Sequence, residues 1–279
     1  MTYGKGVKKT TVQTFIAKKA KGEKITVLTA YDYFIAGLLD QAGIDSILVG
    51  DSASNVIHGH ANTLPVTMDT MVTHTAAVAR GSQRALIIAD MPFLSFQPSL
   101  EVAVANAGRF LKEGQAEAVK IEGGLEMVST IRRVIECGIP VMGHIGLTPQ
   151  SIHRFGGPKV QGKKEKSRAY LQESALALQE VGCFSMVLEL LDADVAAQIT
   201  DSLDTAATIG IGAGPHCDGQ VLVINDMLGL REEGFKPKFL REYANLAPII
   251  SDAIKRYIDD VKSGAFPGPD ESYTRTNKT

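Results

Sequence analysis

Short runs rich in apolar and β-branched residues recur along most of the chain, at Ile25–Ala30, Ser46–Asp51, Ala85–Asp90, Ala118–Glu122, Pro140–His144, Ser185–Glu189, Thr208–Gly212 and Val221–Asn225. None alternates apolar with polar positions cleanly, the pattern of parallel strands buried on both faces. The intervals between them carry a helical period. Thr67 is placed to cap a helix whose inner face is Met68, Val72, Ala76 and Ala79. Ala103, Ala107, Phe110 and Leu111 fall at i, i+4, i+7 and i+8; Met127, Val128, Ile131, Val134 and Ile135 repeat that stripe, as do Leu171, Ala175 and Leu178. Eight strand–helix units predict an α/β chain closed as a (β/α)8 barrel. A doubly wound open sheet is the structural alternative, and the short interval between the seventh and eighth runs is the weakest link in the count.

At 279 residues, a single barrel domain over 1–279 accounts for the chain, with an N-terminal extension to about residue 22 and an irregular tail over about 263–279. Gly264, Pro267, Gly268 and Pro269 break periodicity in that tail. Hydrophobic residues at 44% and charged residues at 22% exclude a disordered or fibrous chain. A net charge of −2 gives no field that would draw nucleic acid or an anionic membrane. Three scattered cysteines with no CxxC build neither a disulfide framework nor a zinc site, and an odd thiol count fits a reducing cytoplasm. The N-terminus has no apolar stretch of the signal-peptide kind, and no apolar run is long enough to span a bilayer. The expectation is a soluble cytoplasmic globule.

The polar chemistry sits where the strands end. Strand two runs into Asp51-Ser52, strand three ends at Asp90, strand four at Lys120-Ile121-Glu122, strand five at His144 and strand six at Glu189. In a barrel these positions gather at the C-terminal face, where barrel enzymes carry their chemistry. Alternation along a strand points Lys120 and Glu122 the same way. Four acids in one pocket need cations to offset them; Lys120 supplies one charge, and a divalent metal is the expected remainder. Carboxylate oxygens without cysteine or paired histidine select a hard ion, Mg²⁺ above all, which keeps several waters. A 2-oxo acid, chelating through its carboxylate and keto oxygens, could replace those waters and be enolised beside the metal.

Other features are read more plainly. His58 and His60 lie on a loop, as much surface as ligand; His74 lies within a helix and is read as structural; His153 and His216 lie on loops. The stretches Ser52–Val66 and Thr148–Arg168 are long for their positions, as functional loops often are. The cations Lys159, Lys163, Lys164, Lys166 and Arg168 form a solvated run or greet an anionic tail on a cosubstrate. Gly210-Ile211-Gly212-Ala213-Gly214 resembles a phosphate cradle, although close approach to a flat ligand serves equally, since no helix start is evident after it.

The ordered motifs together resemble one family, the ketopantoate hydroxymethyltransferases. They include Thr29-Ala30-Tyr31-Asp32, Val49-Gly50-Asp51-Ser52, Thr63-Leu64-Pro65-Val66-Thr67, Ala89-Asp90-Met91-Pro92-Phe93, Val119-Lys120-Ile121-Glu122-Gly123-Gly124, Gly143 to Ser151 and Asp218-Gly219-Gln220. The resemblance runs from about residue 10 to the tail. It implies a (β/α)8 TIM barrel of the phosphoenolpyruvate/pyruvate-binding type, assembled as a homo-oligomer, a decamer of two pentameric rings. The implied reaction moves a hydroxymethyl group from 5,10-methylenetetrahydrofolate to 2-oxoisovalerate (3-methyl-2-oxobutanoate). The product is 2-dehydropantoate, for pantothenate and coenzyme A synthesis. Carried onto the matching positions, Asp51 and Asp90 would bind one Mg²⁺ per subunit, with Glu122 holding it directly or through water. Ser52 and Lys120, with Asp51 and Asp90 through the metal, would contact the oxo acid. Glu189 would be the proton acceptor, and His144 a neighbour in the site.

Two departures stand out. Ala53-Ser54-Asn55 follows Asp51-Ser52 where the family more often has Leu-Gly and an apolar residue, and Glu271-Ser272-Tyr273 lacks a histidine common before the serine. Two rival readings fit less well. An isocitrate lyase-like barrel would carry a cysteine-bearing loop that is absent at Lys163-Lys164-Glu165-Lys166, and a non-catalytic metabolite sensor would not need a base at Glu189.

Overall fold

The computed structural model describes residues 8–231 and 236–273. Eight parallel strands close into a barrel in sequence order: β1 (Ile25–Thr29), β2 (Ser46–Val49), β3 (Leu86–Asp90), β4 (Ala118–Glu122), β5 (Val141–Gly146), β6 (Ser185–Glu189), β7 (Ala207–Ile211) and β8 (Gly219–Leu222). β8 pairs with β1, Ile25 opposite Gly219 through Leu28 opposite Leu222, so the open-sheet alternative is excluded. β4 and β6 have the bounds that the sequence predicts. β8 begins two residues earlier than expected, because Gly219 and Gln220 pair with both neighbours.

The helices are α1 (Val12–Lys21), α2 (Tyr33–Ala42), α3 (Ala53–Val56), α4 (Met68–Gly81), α5 (Leu100–Lys112), α6 (Val128–Glu136), α7 (Ile152–Phe155), α8 (Glu165–Glu180), α9 (Ala193–Ser202), α10 (Ile224–Met227) and α11 (Leu246–Ser263). Thr67 caps α4 as predicted, its hydroxyl accepting from the Thr70 N–H. The buried face of α4 is Met71, Val72, Thr75 and Val78, turned about one residue from the predicted Met68, Val72, Ala76 and Ala79. The small alanines suggest an inner face that the bulkier Met71 and Val78 in fact occupy. The stripes of α5 and α8 are buried as predicted at Ala103, Ala107 and Phe110, and at Leu171, Ala175 and Leu178.

Two compact units divide the chain, Met1–Ile224 with Pro237–Phe239, and Asn225–Lys236 with Leu240–Thr279. The predicted N-terminal extension, of which residues 1–7 lie outside the described part, contains α1. Its Phe15 is fully buried and packs edge-on against Phe184. In the second unit, every residue of α11 from Ala247 to Ser263 is exposed, and past it lies a short helical turn at Pro269–Glu271. The part of the predicted irregular tail over 274–279 lies outside the described residues.

The barrel interior is a single apolar cluster that includes Ile25, Val27, Leu48, Leu86, Ile88, Ala118, Met142, Val187, Ile209 and Val221. These inward positions share strand parity with Asp90, Lys120, Glu122, His144 and Glu189. The charged residues therefore continue the same inward face one or two pleats further toward the C-terminal mouth.

Candidate active site

Register builds the cluster. Asp90 at the end of β3 is opposite Lys120 of β4, and Glu122 of β4 is opposite His144 of β5. The Lys120 ammonium lies 2.8 Å from Asp90 Oδ1, 3.8 Å from Glu122 Oε1 and 3.0 Å from His144 Nδ1. On its other edge His144 Nε2 faces Glu189 Oε2 at 3.3 Å, and Nδ1 is 3.5 Å from Glu122 Oε1. Asp51, just past β2, donates its main-chain N–H to Asp90 Oδ2 at 3.1 Å. Ser52 shares a 2.8 Å hydroxyl–hydroxyl hydrogen bond with Tyr31. All the strand-end acids, Lys120 and His144 that the sequence nominates are thus brought together.

Asp51, Asp90, Lys120, Glu122 and His144 are each at most 5% exposed. Glu189 is more open, its side chain 17% exposed. Burial, reinforced by the charges of Asp90 and Glu122, holds the Asp51 carboxyl well above the usual carboxylate range, with Lys120 and Gln150 pulling the other way. Burial opposes the Lys120 charge, but Asp90, Glu122 and Asp51 outweigh it and raise the ammonium above its ordinary value. Glu122 is raised by burial and lowered more by His144, Lys120 and the Gln150 N–H, ending below its ordinary value. For His144, burial and Lys120 pull downward and the Glu122 and Glu189 carboxylates win, so its pKa is raised. Nδ1 lies within hydrogen-bond distance of the Lys120 ammonium, while Nε2, turned toward Glu189, has no hydrogen-bond partner among the described residues.

Local backbone fixes the mouth. Gly146, at φ +102°, ends β5 where any Cβ would collide with Leu191 Cδ1 and the Glu189 carbonyl oxygen. Leu190, directly after Glu189, is held at φ +47°, a conformation costing about 1–2 kcal/mol in a non-glycine residue. The bonds Leu190 N–H to Ile211 O and Leu147 N–H to Glu189 O, both 2.9 Å, hold it there. Strain of this kind collects at functional sites.

The donor set fits a hard divalent cation. Three buried carboxylates face one ammonium, and two of their oxygens, Asp90 Oδ1 and Glu122 Oε1, have no hydrogen-bond partner among the described residues. Asp90 Oδ1 has the Lys120 ion pair without hydrogen-bond geometry. Among the described residues no group of three or more His, Cys, Asp or Glu side chains is placed to hold a metal ion together. Mg²⁺ commonly takes one or two carboxylates and keeps its waters.

Several residues lie outside the cluster. The exposed His58 bonds His74 through their Nε2 atoms at 3.0 Å, and His74 Nδ1 donates to the Tyr31 carbonyl at 2.7 Å, in keeping with its structural reading. After Gly214 the chain enters β8 with no helix start, so the glycine-rich run lacks the helix N-terminus that a phosphate cradle uses. Lys166 and Arg168 belong to the first turn of α8. A cavity of about 240 Å³ lies between the segments after β4 and β5 and helix α8, its lining including Glu126, Thr148, Arg154 and Tyr170.

The residue that sequence reasoning missed is Gln150. It is buried, and its side-chain amide donates to Asp51 Oδ2 at 3.0 Å and to the Met91 carbonyl at 2.8 Å. Its main-chain N–H donates to Glu122 Oε2 at 3.0 Å. Its position just past strand five is the available signal, but a neutral amide carries no charge to mark it beside the acids.

Comparison with known proteins agrees with this geometry. The family model described as ketopantoate hydroxymethyltransferase matches residues 9–269. A 3-methyl-2-oxobutanoate hydroxymethyltransferase of Prosthecochloris aestuarii is 56% identical over 259 residues, covering 91% of this chain and 93% of that one. Among solved structures, 2,3-dimethylmalate lyase, a member of the PEP mutase/isocitrate lyase superfamily, aligns at TM-score 0.57 and 17% identity, covering 95% of this chain and 92% of that one. Phosphonopyruvate hydrolase, solved in complex with oxalate and Mg²⁺, aligns at TM-score 0.59 and 14% identity, covering 93% and 92%. At these identities the two structures speak for the barrel fold alone.

Proposed function

Because the chain belongs to the ketopantoate hydroxymethyltransferase family, we propose that its strand-end cluster transfers a hydroxymethyl group to 3-methyl-2-oxobutanoate, giving 2-dehydropantoate. The observation that carries this reading is the buried set Asp51, Asp90, Lys120, Glu122 and His144 with the more open Glu189 at its edge. The one-carbon donor in this reading is 5,10-methylenetetrahydrofolate. The reaction consumes one water, whose oxygen becomes the product hydroxyl, and releases tetrahydrofolate.

Asp51 and Asp90 would hold the divalent cation, Mg²⁺ in this reading, with Glu122 reaching it directly or through water. When bound, the ion supplies Lewis-acid polarisation of the oxo acid. Lys120 sets a fixed positive charge where the substrate carboxylate and the developing enolate oxygen gather, which favours the transition state over the ground state. Ser52, held by Tyr31, donates its hydroxyl to the oxo acid. Glu189 takes the C3 proton, its partial exposure allowing it to exchange that proton afterwards. His144 lies between Glu122 and Glu189, its Nε2 3.3 Å from Glu189 Oε2. The C3 carbon then forms its bond to the folate one-carbon unit.

For the folate, the cavity beside Gly123 and Gly124 offers the Glu126 carboxylate, bonded by the Tyr170 hydroxyl, to ring N–H groups. Arg154 offers a guanidinium to an anionic tail. The whole of 1–279 is taken as one functional domain in this reading, every candidate site residue falling in the first unit. A homo-oligomer, as a decamer of two pentameric rings, is supported by the exposed α11. There Ile250, Ile254, Tyr257 and Val261 repeat at spacings of four, three and four, the seam of helix–helix association. A cytoplasmic setting accords with three free cysteines. Among the described residues no helix is long and apolar enough to cross a membrane.

The test is a proton NMR time course in D₂O with Mg²⁺, 3-methyl-2-oxobutanoate and 5,10-methylenetetrahydrofolate. Hydroxymethyl product with loss of the methine coupling is expected. Folded, Mg²⁺-supplied protein that gives neither product nor methine exchange would contradict the reading.

A further inference from the structure

Gln150 ties together the ends of three strands from a fourth. It sits in the helical turn Pro149–Ser151, directly after β5, and is 5% exposed. Its amide NH₂ gives one proton to Asp51 Oδ2 past β2 and one to the carbonyl of Met91 past β3. The Met91 carbonyl is an acceptor only, so the amide has one orientation, and its Oε1 is left to accept from Gln97 Nε2 at 3.3 Å. The main-chain N–H of the same residue holds Glu122 Oε2 at the end of β4. Glu122 Oε1 is left buried without a hydrogen bond, 3.8 Å from the Lys120 ammonium.

We propose that Gln150 is a positioning residue that presents the Asp51 and Glu122 carboxylates to the divalent cation. The inference rests on the cation of the proposed function. A neutral amide suits this role, because it fixes a carboxylate by donation without cancelling the charge that attracts the ion. A lysine there would neutralise Asp51 and compete with the cation; a glutamate would set a further acid against Asp51 and the Met91 carbonyl. Partners that orient metal ligands in this way typically change metal affinity about 10- to 100-fold when removed.

The experiment is an electron paramagnetic resonance titration of the full chain with Mn²⁺, with no turnover, alongside thermal unfolding without metal. Gln150→Met keeps the side-chain length and the main-chain N–H to Glu122 and removes the amide, both its donors and the Oε1 that accepts from Gln97. It is expected to weaken Mn²⁺ binding about 10- to 100-fold. It should also raise the KM for 3-methyl-2-oxobutanoate at limiting Mg²⁺, an effect that excess Mg²⁺ reverses. A lowered Tm with unchanged Mn²⁺ affinity would reduce Gln150 to a structural tie and overturn the proposal. Should Gln150→Met not fold, Gln150→Glu is read in the same way: weaker Mn²⁺ binding supports the role, unchanged or tighter binding overturns it. Wild-type protein that takes up no Mn²⁺ would overturn the cation reading itself, a result distinct from unchanged binding in the variant.

Discussion

The floor and the mouth of the barrel are made by the same strands and buried to nearly the same degree. Leu86 and Ile88 stand on the inward face below Asp90, Ala118 below Lys120 and Glu122, Met142 below His144, and Val187 below Glu189. Ile88 is 0% exposed and Met142 1%; Asp90 is 2% and Lys120 3%. Burial acts oppositely at the two levels. In the floor it stabilises the fold by about 25 cal/mol for each Å² of apolar surface removed from water. In the mouth it opposes every charge, and what the charges regain from one another is incomplete, as the raised Asp51 carboxyl and the unpartnered carboxylate oxygens indicate. The floor makes the barrel; the mouth draws on that stability to keep an acidic pocket poised for a cation.

The comparison can be broken at either level. The largest effect is expected from Asp90→Ala, which should abolish Mg²⁺-dependent binding of the oxo acid in protein that still folds. Calorimetric titration with and without Mg²⁺ checks it, and retained metal-dependent binding would remove Asp90 from the ligand set. Next comes Ile88→Ala directly below it, which should destabilise the fold by about 2–5 kcal/mol in chemical denaturation. It should leave turnover per folded molecule near wild type; a turnover loss matching that of a mouth variant would show the two levels to be coupled. Ser52→Ala should be milder, raising the KM for the oxo acid by up to about tenfold, as loss of one hydrogen bond worth roughly 0.5–1.5 kcal/mol implies.

The smallest effect is one of pH. The Asp51 carboxyl is raised above its unfolded value, so metal-free protein binds the extra proton when folded and loses stability as pH climbs toward the raised value. Glu122, lowered, loses its contribution only as pH falls below its ordinary range near about 4.3. His144, raised, loses its own only as pH rises above about 6.5. Between those limits the slope belongs to Asp51 within this cluster. A cation binds the ionised form, so the Tm gain from Mg²⁺ should grow with pH across that window. A gain independent of pH would contradict the assignment.

Much of this was legible in the sequence because buried parallel strands announce themselves. Runs such as Leu86-Ile87-Ile88-Ala89 have no polar face to confuse with a surface strand, and a charge ending such a run has few places to point. The turn of α4 was less legible, since Met68, Ala76 and Ala79 satisfy a helical period as well as Met71, Thr75 and Val78 do. The apolar seam of α11 has a helical period too, yet it lies past the last strand, where no barrel position required it. Gln150 was illegible for a different reason. Its partners Asp51 and Met91 lie 99 and 59 residues away, and a neutral amide acquires meaning only when the register of four strands brings it against two acids.

The central claim is that the mouth removes the C3 proton of a cation-held 2-oxo acid, with Glu189 as the acceptor. The most direct test needs no folate: deuterium exchange at the methine of 3-methyl-2-oxobutanoate, followed by NMR in D₂O. Wild-type protein with Mg²⁺ is expected to exchange the methine. Chelation should abolish that exchange, and Glu189→Gln should slow it roughly 10²- to 10⁴-fold while oxo-acid binding persists. Exchange that survives chelation, or that proceeds at the wild-type rate in Glu189→Gln, would contradict the claim.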